Sequence, residues 1–224
     1  MGSKIQLTSS DGHSLGAYLV EPSTPASSAV VIIQEIFGVN RHIRSVVDEY
    51  ASQGFSAIAP ALFDRAQPGI ELNYNSADAS RGMQYANQIG IDKALLDVSA
   101  AILHGAKASP GRKVGVVGFC FGGTLAWLSA TRLNPAAVVC YYGGQIAKFV
   151  AEKPRCPVML HFGAKDAHIP ASDIQKIQQA HPDLPVFLYE NAGHGFNCDN
   201  RPDFEPRSAA LARQRTLAFF HSHL

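Results

Sequence analysis

Lys113–Ala130 reads KVGVVGFCFGGTLAWLSA, and the reading of the fold starts there. Val114, Val116 and Val117 form a β-branched apolar run, the composition of a strand buried on both faces. Gly118-Phe119-Cys120-Phe121-Gly122 follows at once, and Thr124–Ala130 then reads as a helix. A nucleophile with glycine two residues to either side, on a strand-to-helix turn, is an elbow of the G-x-S-x-G type with sulfur in place of oxygen. A Cβ at Gly118 or Gly122 would strike the neighbouring strand or helix of so sharp a turn. Cys120 is therefore expected at the carboxyl edge of a sheet, under a helix N-terminus whose partial positive charge favours a thiolate. The competing reading of this stretch alone is a buried cysteine that only fills space.

Outward from the elbow, helices alternate with apolar strands. Ile5–Thr8 and Leu15–Val20, joined through Ser10-Asp11-Gly12, predict an antiparallel hairpin at a sheet edge. Ala29–Gln34 is a continuous apolar strand ended by Glu35-Ile36-Phe37-Gly38, and Asn40 is placed to cap a helix that runs through Gln53 and closes at Gly54. Phe55–Ala59 is the next strand, ended by Pro60; Leu62–Ala77 carries Pro, Gly and Asn without a period, a long irregular segment of the kind that covers a site. Asp92–Ala106 reads as a helix, broken at Pro110-Gly111. Beyond the elbow come strands at Ala136–Tyr141, Val158–Phe162 and Val186–Tyr189, with a helix near Ser172–Ala180. A last helix over Pro206–His223 would set Ala210, Leu217, Phe220 and Leu224 on one face. The pattern predicts an α/β fold, a mostly parallel central sheet with helices on both faces, in one domain spanning 1–224.

Composition narrows the function. Hydrophobic residues make up 46% and charged residues 17% of the 224, an ordinary globular balance. A net charge of +1 without a basic run argues against nucleic acid as a partner. MGSKIQLTSS lacks the apolar core of a signal peptide, Gln6 departs from the myristoylation pattern, and no apolar run reaches membrane-spanning length. A cytoplasmic protein is expected. Cys120, Cys140, Cys156 and Cys198 form no C-x-x-C pair, which favours free thiols in a reducing compartment, with Cys140 and Cys156 as packing residues.

In α/β-hydrolase folds the triad follows the chain order nucleophile, acid, histidine, the last two on loops after later strands. Asp166 in Gly163-Ala164-Lys165-Asp166 follows the strand ending at Phe162, and His194 in Asn191-Ala192-Gly193-His194-Gly195-Phe196 follows the strand ending at Tyr189. Both then converge on the sheet edge that carries Cys120. His194 would take the proton of Cys120 and return it to the leaving group, and Asp166 would fix the tautomer of His194. The backbone N–H groups of Phe121 and Ile36 are the expected oxyanion donors. His161, Asp166 and His168 follow no metal-ligand spacing, so neither a metal nor another cofactor is expected.

With these residues assembled, the chain resembles the dienelactone hydrolase family over nearly its whole length. The resemblance rests on QEIFGVN at Gln34–Asn40, GFCFGG at Gly118–Gly123, CYYGG at Cys140–Gly144, HFGAKDAHIP at His161–Pro170, AGHGF at Ala192–Phe196 and RTLAFF at Arg215–Phe220. It implies the triad Cys120, His194 and Asp166, and it gives Glu35 a gating role: the matching glutamate exchanges contacts with the cysteine, and substrate binding releases an active thiolate. It further implies arginines that hold a substrate carboxylate. Arg81 lies in the matching region, and Tyr142 within CYYGG is taken as a further substrate contact. The second family arginine stands four residues after the histidine, where this chain has Cys198; Arg201 follows three residues later.

The expected function is a cysteine-dependent hydrolase of a small lactone or ester, acting through an acyl-enzyme on Cys120. A general carboxylesterase is the nearer alternative, and a redox-sensitive thiol or ligand-binding protein with little turnover the farther one. The expected partner is a small molecule, met by a monomer or, as the alternative, a dimer, with no membrane and no nucleic acid involved.

Overall fold

The computed structural model describes residues 2–107 and 111–224. Eight strands form one sheet: β1 (Ser3–Thr8), β2 (Ser14–Val20), β3 (Ser28–Ile33), β4 (Ser56–Pro60), β5 (Lys113–Phe119), β6 (Ala137–Tyr141), β7 (Val158–Gly163) and β8 (Val186–Tyr189). Their spatial order is β1-β2-β4-β3-β5-β6-β7-β8. β1 pairs antiparallel with β2, in register from Ser3 opposite Leu19 to Thr8 opposite Ser14, and β2 pairs antiparallel with β4. All later pairings are parallel. The central strand β3 is buried at every residue, which is why its sequence is continuously apolar rather than alternating.

The helices are α1 (Arg41–Ser52), α2 (Ser76–Ile89), α3 (Ile91–Lys107), α4 (Phe121–Arg132), α5 (Ala171–Ala180) and α6 (Pro206–His223). Neighbouring residues of β5 show the layering, because successive side chains of a strand leave on opposite faces. Val114 lies against Gly105 of α3, whereas the Cα of Gly115 is covered by Phe220 and Leu224 at the end of α6. Asn40 caps α1 as expected, its side chain accepting a hydrogen bond from Ile43 N–H. Gly111 has a φ of +76°, suited to the break before β5; Pro110, named with it, lies outside the described residues.

Two expectations need correction. Leu62–Ala77 is less irregular than its composition predicts: Leu62–Arg65 forms a 3-10 turn, and α2, absent from the sequence reading, begins at Ser76 with Asn75 as its cap. Only Gly82, Ala86 and Ile89 of α2 are buried, so the helix carries almost no apolar period to read. The segment is pinned as a wall: Leu62 and Phe63 are buried, Leu72 N–H donates to Phe37 O, Asn40 Nδ2 donates to Leu72 O, and Asp64 accepts from the N–H groups of Gly16 and Gly69. In α6 the buried face runs through Ser208, Ala212, Thr216 and Phe220, and Ala210 is exposed. Small and hydroxyl residues line that face because Thr216 serves a buried network: its Oγ1 meets Tyr141 Oη at 2.7 Å and His161 Nε2 at 3.1 Å, while His161 Nδ1 meets Tyr189 Oη at 2.9 Å. Among the described residues, no helix is long and apolar enough to cross a membrane.

Candidate active site

The turn from β5 into α4 holds Cys120 at φ 56° and ψ −113°, a strained conformation for a residue with a side chain. Both flanking glycines are required: a Cβ at Gly118 would sit 1.9 Å from Gly122 O, and one at Gly122 would sit 2.4 Å from Ile33 O. The strain lifts the thiol out of the backbone while Cys120 N–H donates to Tyr141 O at 3.0 Å.

His194 Nε2 lies 3.1 Å from Cys120 Sγ, and His194 Nδ1 lies 2.8 Å from Asp166 Oδ2. Asp166 is aimed by its own loop, since Oδ1 accepts from His168 N–H at 2.8 Å and Ile169 N–H at 3.2 Å. The two loops are laced together by Lys165 N–H donating to Ala192 O at 2.9 Å. Burial acts to lower the pKa of His194, but hydrogen bonds to Asp166 and Cys120, with their charges, outweigh it and push the value up to about 10 from 6.5. The imidazolium form is thus favoured at neutral pH, the form that can give a proton to a leaving group.

Glu35, two residues beyond the end of β3, is fully buried. Its Oε1 accepts from Arg201 Nη1 at 3.2 Å, and its Oε2 has no hydrogen-bond partner among the described residues. Arg201 is itself largely covered; burial opposes its charge, yet the Glu35 carboxylate holds its pKa above the ordinary value. Gly195, at φ 78°, leaves the room that Arg201 occupies, for a Cβ there would lie 2.6 Å from the guanidinium carbon. Cys120 thus meets His194 while Glu35 is held by Arg201, and no hydrogen bond joins Glu35 to Cys120 among the described residues.

Tyr142 is fully buried at φ 37°, its ring 5.2 Å from that of His194 and its hydroxyl unpartnered among the described residues. Phe121 is the first residue of α4, so its N–H has no acceptor within the helix. Ile36 follows Glu35, and its carbonyl is so close to α2 that a Cβ at Gly82 would lie 1.8 Å from it. Arg81, next to Gly82, is exposed and pairs with Asp78 at 3.1 Å, so its guanidinium is not joined to the Cys120–His194–Asp166 network. Two neighbours escaped the sequence reading. Gly82 sits on α2, which has almost no apolar period, and His168, whose ring lies 4.9 Å from that of His194, stands in no pattern that links it to that histidine.

The profile described as "Dienelactone hydrolase family" matches residues 15–224. A carboxymethylenebutenolidase of Pseudomonas putida is 34% identical over 223 residues, covering 96% of this chain and 94% of that one. A Synechocystis sp. protein, named as an inferred carboxymethylenebutenolidase, is 36% identical over 228 residues, covering 94% of this chain and 92% of its own. Among solved structures, an inferred dienelactone hydrolase from Klebsiella pneumoniae superposes with a TM-score of 0.80 at 28% identity, covering 98% of this chain and 99% of that one. The chain therefore belongs to the dienelactone hydrolase family and is a hydrolase acting on carboxylic ester or lactone bonds.

Proposed function

We propose that the protein opens small lactones through a thioester on Cys120, with Glu35 and Arg201 making the site responsive to a carboxylate on the substrate. The observation that carries this reading is the unbroken line from Cys120 Sγ through His194 to Asp166, at 3.1 and 2.8 Å. The thiolate adds to the lactone carbonyl carbon, and the developing oxyanion accepts hydrogen bonds from the N–H groups of Phe121 and Ile36. Collapse breaks the ring C–O bond, and the leaving oxygen takes the proton from His194 Nε2. His194, now neutral, takes a proton from water, whose oxygen attacks the thioester and frees the acid and the thiolate.

Arg201 stands in for the arginine that the family places four residues after the histidine, a position held here by Cys198. A substrate carboxylate would compete with Glu35 for the Arg201 guanidinium, a bidentate donor suited to it. Arg81 and Tyr142 complete the proposed contacts, Arg81 by swinging from its exposed pair with Asp78. The whole chain, 1–224, is taken to act as one cytoplasmic, monomeric domain.

Steady-state kinetics on matched anionic and neutral lactones test both halves. Cys120→Ala should lower kcat/KM on both by at least about a thousandfold, the scale of losing a nucleophile. Arg201→Ala should raise KM for the anionic lactone at least tenfold and leave the neutral one within twofold. Full activity of Cys120→Ala overturns the thioester; an equal loss on both substrates in Arg201→Ala overturns the carboxylate subsite.

A further inference from the structure

A second cluster of metal-ligating side chains lies beside the proposed active site and takes no part in it. His42 is the second residue of α1, and Cys198 and Asp199 lie on the loop that follows His194. His42 Nδ1 is 3.0 Å from Asp199 Oδ1, and one ligand atom from each of His42, Cys198 and Asp199 lies within 4.8 Å of the other two. His42 and Cys198 are buried, whereas the Asp199 side chain is 64% exposed. A cavity of about 200 Å³ is lined by His42, Ser45, Glu49, Asn197, Asp199 and Arg213.

We infer that His42, Cys198 and Asp199 form a binding site for one divalent transition-metal ion, of which Zn²⁺ fits the donors best. One imidazole nitrogen, one thiolate and one carboxylate oxygen make the mixed nitrogen, sulfur and oxygen set that Zn²⁺ prefers over the oxygen-only ligands of Mg²⁺ or Ca²⁺. Bonds of about 2.0–2.3 Å to a single ion require the three ligand atoms to draw in from separations of up to 4.8 Å, and the exposure of Asp199 leaves its side chain free to turn. The cavity leaves room for a fourth ligand from solvent. On binding, the metal–nitrogen, metal–sulfur and metal–oxygen bonds replace the His42–Asp199 contact, and the thiol proton of Cys198 leaves to water. The ion would bolt the start of α1 to the loop between His194 and Arg201. That loop is otherwise closed by short turns such as Cys198 N–H to Gly195 O at 2.9 Å and Arg201 N–H to Cys198 O at 3.1 Å.

Without an ion, His42 is satisfied by Asp199 and Cys198 only fills space beside them. The test must separate the readings, and it must also separate this cluster from the Cys120–His194 pair, which is itself a thiol and an imidazole within reach of a soft ion. The purified Cys120→Ala protein is titrated with Co²⁺, followed by its thiolate-to-cobalt charge-transfer absorption and by thermal melting, and Zn²⁺ is then added as competitor. The site predicts one equivalent bound, a charge-transfer band abolished by Zn²⁺, and a raised Tm with either ion. In the Cys120→Ala background, Cys198→Ser should remove the band, and Asp199→Asn, at an exposed side chain whose amide oxygen can still accept from His42, should weaken Co²⁺ at least tenfold while melting normally without metal. No band in Cys120→Ala, a band that survives Cys198→Ser, or unchanged affinity in Asp199→Asn overturns the site.

Discussion

At the scale of single residues, the histidine carries the sharpest consequence. Its folded-state value of about 10 stands above the ordinary 6.5, so the charged form contributes stability that is fully present below about pH 6.5 and lost as pH rises through 10. Asp166→Asn removes the carboxylate that, together with Cys120, outweighs burial. The Tm gap between wild type and this variant should therefore be widest near pH 6 and narrow toward pH 10; a gap that is constant with pH would contradict the assignment. The same variant should lower kcat by about 10³–10⁴-fold through loss of the imidazole's orientation. These residues were legible because each occupies a loop directly after an apolar strand, with glycines crowding Cys120 and His194. Gly82 and the Glu35–Arg201 pair were less so: the pair spans 166 positions, and no local pattern joins its partners.

At the scale of elements, α2 and α6 mark where pattern reading stops. Most of their interior positions are small or hydroxyl-bearing, so a search for apolar period passes over α2 and, in α6, finds Leu217, Phe220 and Leu224 against the core but takes the exposed Ala210 in place of Ser208, Ala212 and Thr216. Gly82→Ala sets two effects against each other. Alanine favours a helix interior by about 1 kcal/mol, but its Cβ would lie 1.8 Å from Ile36 O, which must then move. The clash should win: Tm falls, and kcat falls by about 10²–10³-fold if the Ile36 N–H is an oxyanion donor. A stabilised, fully active Gly82→Ala would show that α2 does not set that loop. In α6, Thr216→Val keeps the shape but leaves Tyr141 Oη and His161 Nε2 short of a partner in the interior. Urea denaturation should find the variant less stable by about 1–3 kcal/mol, with catalysis nearly unchanged because no hydrogen bond joins this side-chain network to His194 or Asp166 among the described residues.

At the scale of the whole molecule, the parallel run β4-β3-β5-β6-β7-β8 gathers one loop from each of four strands at a single edge: Glu35 after β3, Cys120 after β5, Asp166 after β7 and His194 after β8. The order of motifs along the chain already implied this meeting, since strands paired in parallel present all their carboxyl ends together. The order also implied Cys120 on His194; what it did not reveal is Arg201 as the partner of Glu35. The account stands on a covalent intermediate at the sulfur. Rapid-quench intact-protein mass spectrometry with an activated ester such as a nitrophenyl acetate reads it directly. One acyl group should appear within the first turnover, on the peptide containing Cys120, and should be absent from Cys120→Ala; continued turnover by wild type with the label on another residue, or with Cys120→Ala still acylated and active, would contradict it.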